Sequence, residues 1–145
     1  MKLNGKKIKY GLLTLIPAAI AIQALWIPIK AYCAHWLIEK SWSNMLSTGA
    51  STPPWPWADH YPLLKLQFPT TSQSYTVLMG ADPSSLAFAP GIMHEFSNTT
   101  QTGALVVAGH NDTHFSFLPR LRIGDQVIMT NNKNTDYHYQ IDTIA

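Results

Sequence analysis

The sequence predicts an all-β domain, a barrel or a sandwich, preceded by a single N-terminal transmembrane helix. Three observations support this. Residues 10–29, "YGLLTLIPAAIAIQALWIPI", carry no charged side chain. From residue 63 onward, short apolar runs alternate with clusters of turn-forming residues, the pattern of strands joined by tight connections. Few long helices fit between those runs, and their spacing is that of a β-barrel or sandwich.

The first element is the anchor. A helix rises about 1.5 Å per residue, so about twenty residues match the ~30 Å hydrocarbon core of a bilayer. Thr14 and Gln23 are the clearly polar side chains in the run, and Pro17 and Pro28 are tolerated in a membrane helix. Lys2, Lys6, Lys7 and Lys9 precede it, whereas only Lys30 and Lys40 follow closely. The positive-inside rule then makes residues 1–9 a cytoplasmic basic tail and puts everything after residue 30 outside the cytoplasm. A cleaved signal peptide would have a shorter apolar region, about 7–15 residues, ending in small residues. Here the run is longer and ends in "IPIKAYCAHW". Lys30 and Tyr32 also stand where a lipoprotein site at Cys33 would need apolar and small residues. A buried helix of a soluble core would need more remaining chain to cover it.

Residues 31–47 have apolar positions at 33, 34, 37, 38, 42, 45 and 46, close to a 3.6 period, so the helix is expected to continue. The stretch "STGASTPPWPWADHYP" then reads as an extended connector, because proline fixes φ and removes donors. Its Trp55 and Trp57 are expected to pack on the domain. Residues 30–58 thus form helix and connector, and 59–145 the β-domain.

Within that domain "LLKLQF" (63–68) and "SYTVLMG" (74–80) read as strands around a Pro-Thr-Thr-Ser turn. "ADPSSLAFAPGIM" (81–93) reads as irregular or one helical turn. "ALVVAG" (104–109) reads as a buried strand and "THFSFLPRL" (113–121) as a short helix. "GDQVIMT" (124–130) and "DYHYQIDTIA" (136–145) read as strands joined by "NNKNT". The last strand pattern is still running at Ala145, as in a truncated domain.

The charge is uneven. Five of the ten basic residues fall in the first thirty positions, which contain no acid. Residues 31–145 carry five bases against eight acids, a net of −3, so no basic footprint for nucleic acid is visible. One cysteine, Cys33, excludes an intramolecular disulfide.

The chemistry centres on "VVAGHNDTHFSFLPRLRIGDQV" (106–127), where His110 follows Gly109 directly after an apolar run. Functional residues gather where a rigid strand passes into a loop. Three readings are open at this point. His110, Asp112 and His114 alternate as H-x-D-x-H and, if extended, would face one side as ligands of a metal-dependent hydrolase. Further ligands could then come from His60, His94–Glu95 or His138. Alternatively, His110 is the acid–base partner of a nucleophile. Cys33 is the only thiol, and no serine lies in G-x-S-x-G. In the third reading, His110 is structural and the domain is a non-catalytic, membrane-tethered β-module that binds peptide.

"GHNDTHFSFLPRLRIGDQV" resembles the histidine motif of sortases, the cysteine transpeptidases of bacterial cell envelopes. In that family G-H closes a strand, an aromatic segment follows, and L-x-x-G-D opens the next strand. "PWPWADHYPLLKL" and "LMGADPSSLAFAPG", with the anchor, resemble the Gram-negative branch, class GN or marine proteobacterial sortases. That branch has arginine where this chain has Asn111. The resemblance implies a sortase-like β-barrel and a catalytic role for His110, with Asp112 supporting it. It also implies an LPXTG-like sorting signal as substrate, no metal or organic cofactor, and a periplasmic domain on a single-pass inner-membrane anchor. Sortases carry a T-L-x-T-C-like strand and then an arginine beyond the part represented here. Neither Cys33 nor Arg120 or Arg122 matches them. The resemblance therefore implies an N-terminal fragment that is incomplete and inactive by itself.

Overall fold

The computed structural model describes residues 5–93 and 104–144, so His94 and Glu95, named above as further metal ligands, and Ala145 lie outside the described residues. The chain divides into two compact units, Met1–Cys33 and Ala34–Ala145.

One helix, α1 (Gly5–Thr48), runs through Pro17 and Pro28. Among the described residues it is long and apolar enough to cross a membrane, and only 6% of its most apolar stretch is buried. Within the described residues it is not packed as the core helix of a soluble protein would be. In the second unit α1 behaves differently. Ala34, Ile38, Trp42 and Met45 are buried at helical spacing, one stripe turned toward protein. Gly49 ends the helix in the left-handed region, φ +73°, donating its N–H to the Met45 carbonyl at 2.8 Å.

The second unit is built on one six-stranded sheet. Its strands are β1 (Pro62–Phe68), β2 (Gln73–Met79), β3 (Gly91–Ile92), β4 (Val107–Ala108), β5 (Gln126–Asn131) and β6 (Asp136–Gln140). The order is β4-β3-β2-β1-β5-β6, antiparallel except for the parallel β2–β3 pair. Alternation along the strands separates two faces. Leu64, Leu66 and Phe68 of β1 and Val77 of β2 enter the main core with Ile92, Phe117, Leu121 and Met129. From the same strands Lys65 and Thr76, which are register partners, meet Glu39 of α1, at 2.7 Å for the lysine Nζ. Beside them Ile38, Leu78 and Ala89 form a second cluster, with Trp55 packed on it. The central strands are thus covered on both faces, which is why "LLKLQF" is so apolar.

Several elements differ from their sequence reading. The strand expected over 104–109 is only Val107–Ala108, and its residues are half-buried. Its partner β3, in the segment expected to be irregular, offers only two residues for pairing. That segment also holds the helical turn α2 (Pro83–Leu86). Residues 113–121 do not form an α-helix; turns lead into a 3₁₀ turn at Leu118–Arg120. Phe115 and Phe117 both pack inward, and residues two apart cannot share a helix face. Strand β6 stops at Gln140 because Ile141 exchanges backbone hydrogen bonds with Gly124 and Asp125 instead. Trp55 packs as expected, whereas Trp57 is 83% exposed.

Candidate active site

His110 sits at the exposed end of β4, at the start of a loop that two phenylalanines pin down. The Phe115 N–H donates to the His110 carbonyl at 3.0 Å and closes the loop. The Phe115 ring lies so close over Gly109 that a Cβ there would come within 2.7 Å of it. Only glycine allows that approach, which is the physical content of Gly-His at this strand end. Phe117 goes deeper. It is 1% exposed, edge-on to Phe68 at 4.7 Å between ring centroids and stacked on Tyr75 at 5.7 Å. The imidazole of His110 is therefore presented to solvent on a loop whose base is rigid.

His114 lies beside it, with ring centroids 6.3 Å apart. It is half-buried against Tyr75, and its Nδ1 is buried without a hydrogen-bond partner. Burial pushes its pKa below the usual 6.5, the neighbouring His110 adds to this, and a backbone hydrogen bond with Phe88 opposes it. Asp112 is exposed, and among the described residues it forms no ion pair with His110. Its supporting role thus has no direct contact behind it.

The alternation argument for a metal fails on geometry. Residues 111–117 are turns, so His110, Asp112 and His114 do not share the side that an extended chain would give them. Among the described residues no three His, Cys, Asp or Glu side chains gather as a metal site. His60 is buried elsewhere, with Trp55 edge-on to its ring and Phe88 stacked on it. His138 is exposed on β6. Cys33, exposed on α1, belongs to the first unit and His110 to the second.

The Gly-Asp of "LRIGDQV" has a structural role. Gly124 adopts φ +96°, and the Arg122 N–H donates to the Asp125 carboxylate at 2.8 Å. This turn launches β5 and accepts the end of β6. Beyond His110, Asn111 borders a groove of about 620 Å³, walled by Phe68, Leu118, Leu121, Val127 and Ile141. The sequence reading did not anticipate this groove. Its walls come from four separate segments, and only their pairing across the sheet brings them together.

Residues 66–145 match the family model described as the Sortase domain. Solved structures similar to the chain include sortase A from Corynebacterium diphtheriae, with 20% identity over 61% of this chain and a TM-score of 0.55. They also include sortase C1 of Streptococcus agalactiae, with 14% identity over 81% of this chain and 67% of that one, TM-score 0.52. Sortase C of Streptococcus pneumoniae is 16% identical over 75% of this chain and 66% of that one, TM-score 0.51. The match spans 44% of the Corynebacterium chain. No curated protein matches the sequence. At these identities the structures speak for the fold; the domain match, which includes the His110 loop and covers more than half of the sequence, shows that the chain belongs to the sortase family.

Proposed function

We propose that residues 1–145 are the anchored, histidine-bearing part of a Gram-negative-branch sortase, a cysteine transpeptidase acting on an LPXTG-like signal of an exported protein. Residues 10–29 cross the inner membrane once, with residues 1–9 in the cytoplasm and residues 31–145 in the periplasm. The observation that carries the reading is His110, exposed at a strand end on a loop fixed by Phe115 and Phe117, inside the matched segment.

In this chemistry a cysteine thiolate attacks the carbonyl carbon of the scissile peptide bond. The C–N bond breaks, a thioester forms, and the leaving amine takes a proton from the His110 imidazolium. An incoming amine or water then attacks the thioester carbonyl and gives its proton to His110, and the thiolate departs. One group must donate and then accept, which suits an imidazole, since it titrates near neutral pH. The thiolate and an arginine to stabilise the oxyanion belong to family motifs that residues 1–145 do not contain. No cofactor is required. Asp112 is assigned a supporting role near the His110 loop.

The apolar groove beside Asn111 favours a second reading, a tethered module that binds peptide without cleaving it. Both readings are tested by titrating an LPXTG-like peptide into the detergent-solubilised chain. Amide shifts should move at Asn111, Leu118, Val127 and Ile141, and mass spectrometry should find no cleavage. Cys33→Ala should leave both results unchanged. A thioester on Cys33 would overturn the assignment of the nucleophile to a segment beyond these residues.

A further inference from the structure

His114 is the titratable group beside His110 that the proposed chemistry does not use. Its place follows from the loop. The Phe115 N–H donates to the His110 carbonyl at 3.0 Å, and this turn brings residues 110 and 114 together. Their rings lie 6.3 Å apart between centroids and are inclined by 33°. The two surroundings differ. His110 is exposed, whereas His114 is half-buried and edge-on to Tyr75, also at 6.3 Å. Its Nδ1 is buried and has no hydrogen-bond partner among the described residues. A buried polar atom left unpaired calls for a reason.

The groups that face His114 offer no anion to compensate a charge on it. Tyr75 of β2 donates its hydroxyl to the Gln73 side chain at 3.0 Å. Burial holds that phenol above the usual 10, against the opposing charge of Arg120, so it stays neutral. His35 of α1 and His110 on the same loop contribute only positive charge, and the Phe88 backbone contributes a dipole. Among the described residues the carboxylates in ion pairs are Asp59 and Glu39, engaged by His60 and Lys65. Asp112 is exposed.

We propose that His114 is a positioning residue for His110: it walls the site as a neutral imidazole, so that a proton taken up by the pair resides on the exposed ring. The inference rests on the acid–base reading of His110. Two imidazolium groups this close repel one another, so a proton on His114 would oppose the imidazolium that the leaving amine requires. A dry ring beside a wet one divides the roles: the dry ring stays neutral, and the wet ring carries the proton to and from substrate.

The test follows the His114 ring by NMR titration of the full chain in detergent, with His110 replaced by asparagine or by lysine. His110 is exposed, so both changes leave the core intact. His110→Asn removes the neighbouring charge and should move the His114 midpoint upward from its wild-type value. His110→Lys restores a cation at the same position and should keep the midpoint depressed. A ring that serves only as packing would respond alike to the two substitutions. Equal His114 midpoints in the asparagine and lysine forms would therefore overturn the inference alone. Undiminished transfer by the His110→Ala form of a chain extended with the family's cysteine and arginine would overturn the acid–base reading and the inference together.

Discussion

At the residue scale the site is governed by close packing around the His110 loop. Adding a methyl at Gly109 drives it into the Phe115 ring, so Gly109→Ala should cost about 1–3 kcal/mol and displace the loop. Removing the Phe117 ring leaves a void against Phe68 and Tyr75, and Phe117→Ala should cost about 3–5 kcal/mol. Denaturant unfolding of the full chain in detergent checks both. His114 offers a titration. Because its folded pKa lies below the usual 6.5, the unfolded state binds the extra proton first. Its stabilising contribution is therefore complete above pH 6.5 and declines as pH falls through its folded value. An NMR titration should place its midpoint below 6.5; a midpoint at or above that value would mean that burial does not control the group. Much of this was legible in the sequence. Gly-His at a strand end followed by two phenylalanines marks the loop, and the resemblance supplied the role proposed for His110. The crowding of Phe115 on Gly109 was not legible, because it depends on a loop closed in space.

At the element scale the long runs were readable and the short ones were not. Strands β1, β2 and β5 carry enough apolar residues to show themselves in isolation. Strands β3 and β4 consist of two residues each and exist through pairings between distant segments. A Cβ on Gly91 would collide with the Gly80 carbonyl, so that crossing needs glycine, and no local pattern announces it. The docking of α1 on the sheet was likewise hidden. Helical periodicity gave the helix, but the partner of Glu39 lies on strands far along the chain. Burial alone would raise the Glu39 carboxyl, yet hydrogen bonds from Lys65 and Thr76 outweigh it and hold the pKa below the usual 4.5. That stability is present above pH 4.5 and is lost as pH falls through the folded value. With both partners partly exposed, Glu39→Gln should cost only about 1 kcal/mol at neutral pH and flatten the acid limb of the stability curve. Thermal melts between pH 3 and pH 7 give the comparison; an unchanged acid limb would remove Glu39 from the account.

At the scale of the whole molecule, residues 34–48 belong with the sheet although the sequence grouped them with a connector. Residues 34–145 expressed alone should therefore be more soluble than residues 49–145, which uncover Leu78 and Ala89 and leave Lys65 without Glu39. Equal solubility and equal melting would show that the helix adds nothing to the fold. The long apolar helix was legible, since twenty uncharged residues in a row need no tertiary information. A reporter active only in the periplasm, fused after Ala145, should be active; activity of a cytoplasmic reporter alone would reverse the orientation. The central claim is that His110 is the acid–base residue of a sortase, and transpeptidation tests it most directly. The chain is extended by the cysteine strand and arginine that the family motif supplies, then given an LPXTG-like peptide and an amine. The account predicts a joined product from the extended chain, none from residues 1–145, and loss of product on His110→Ala. Undiminished transfer by the His110→Ala form would contradict it.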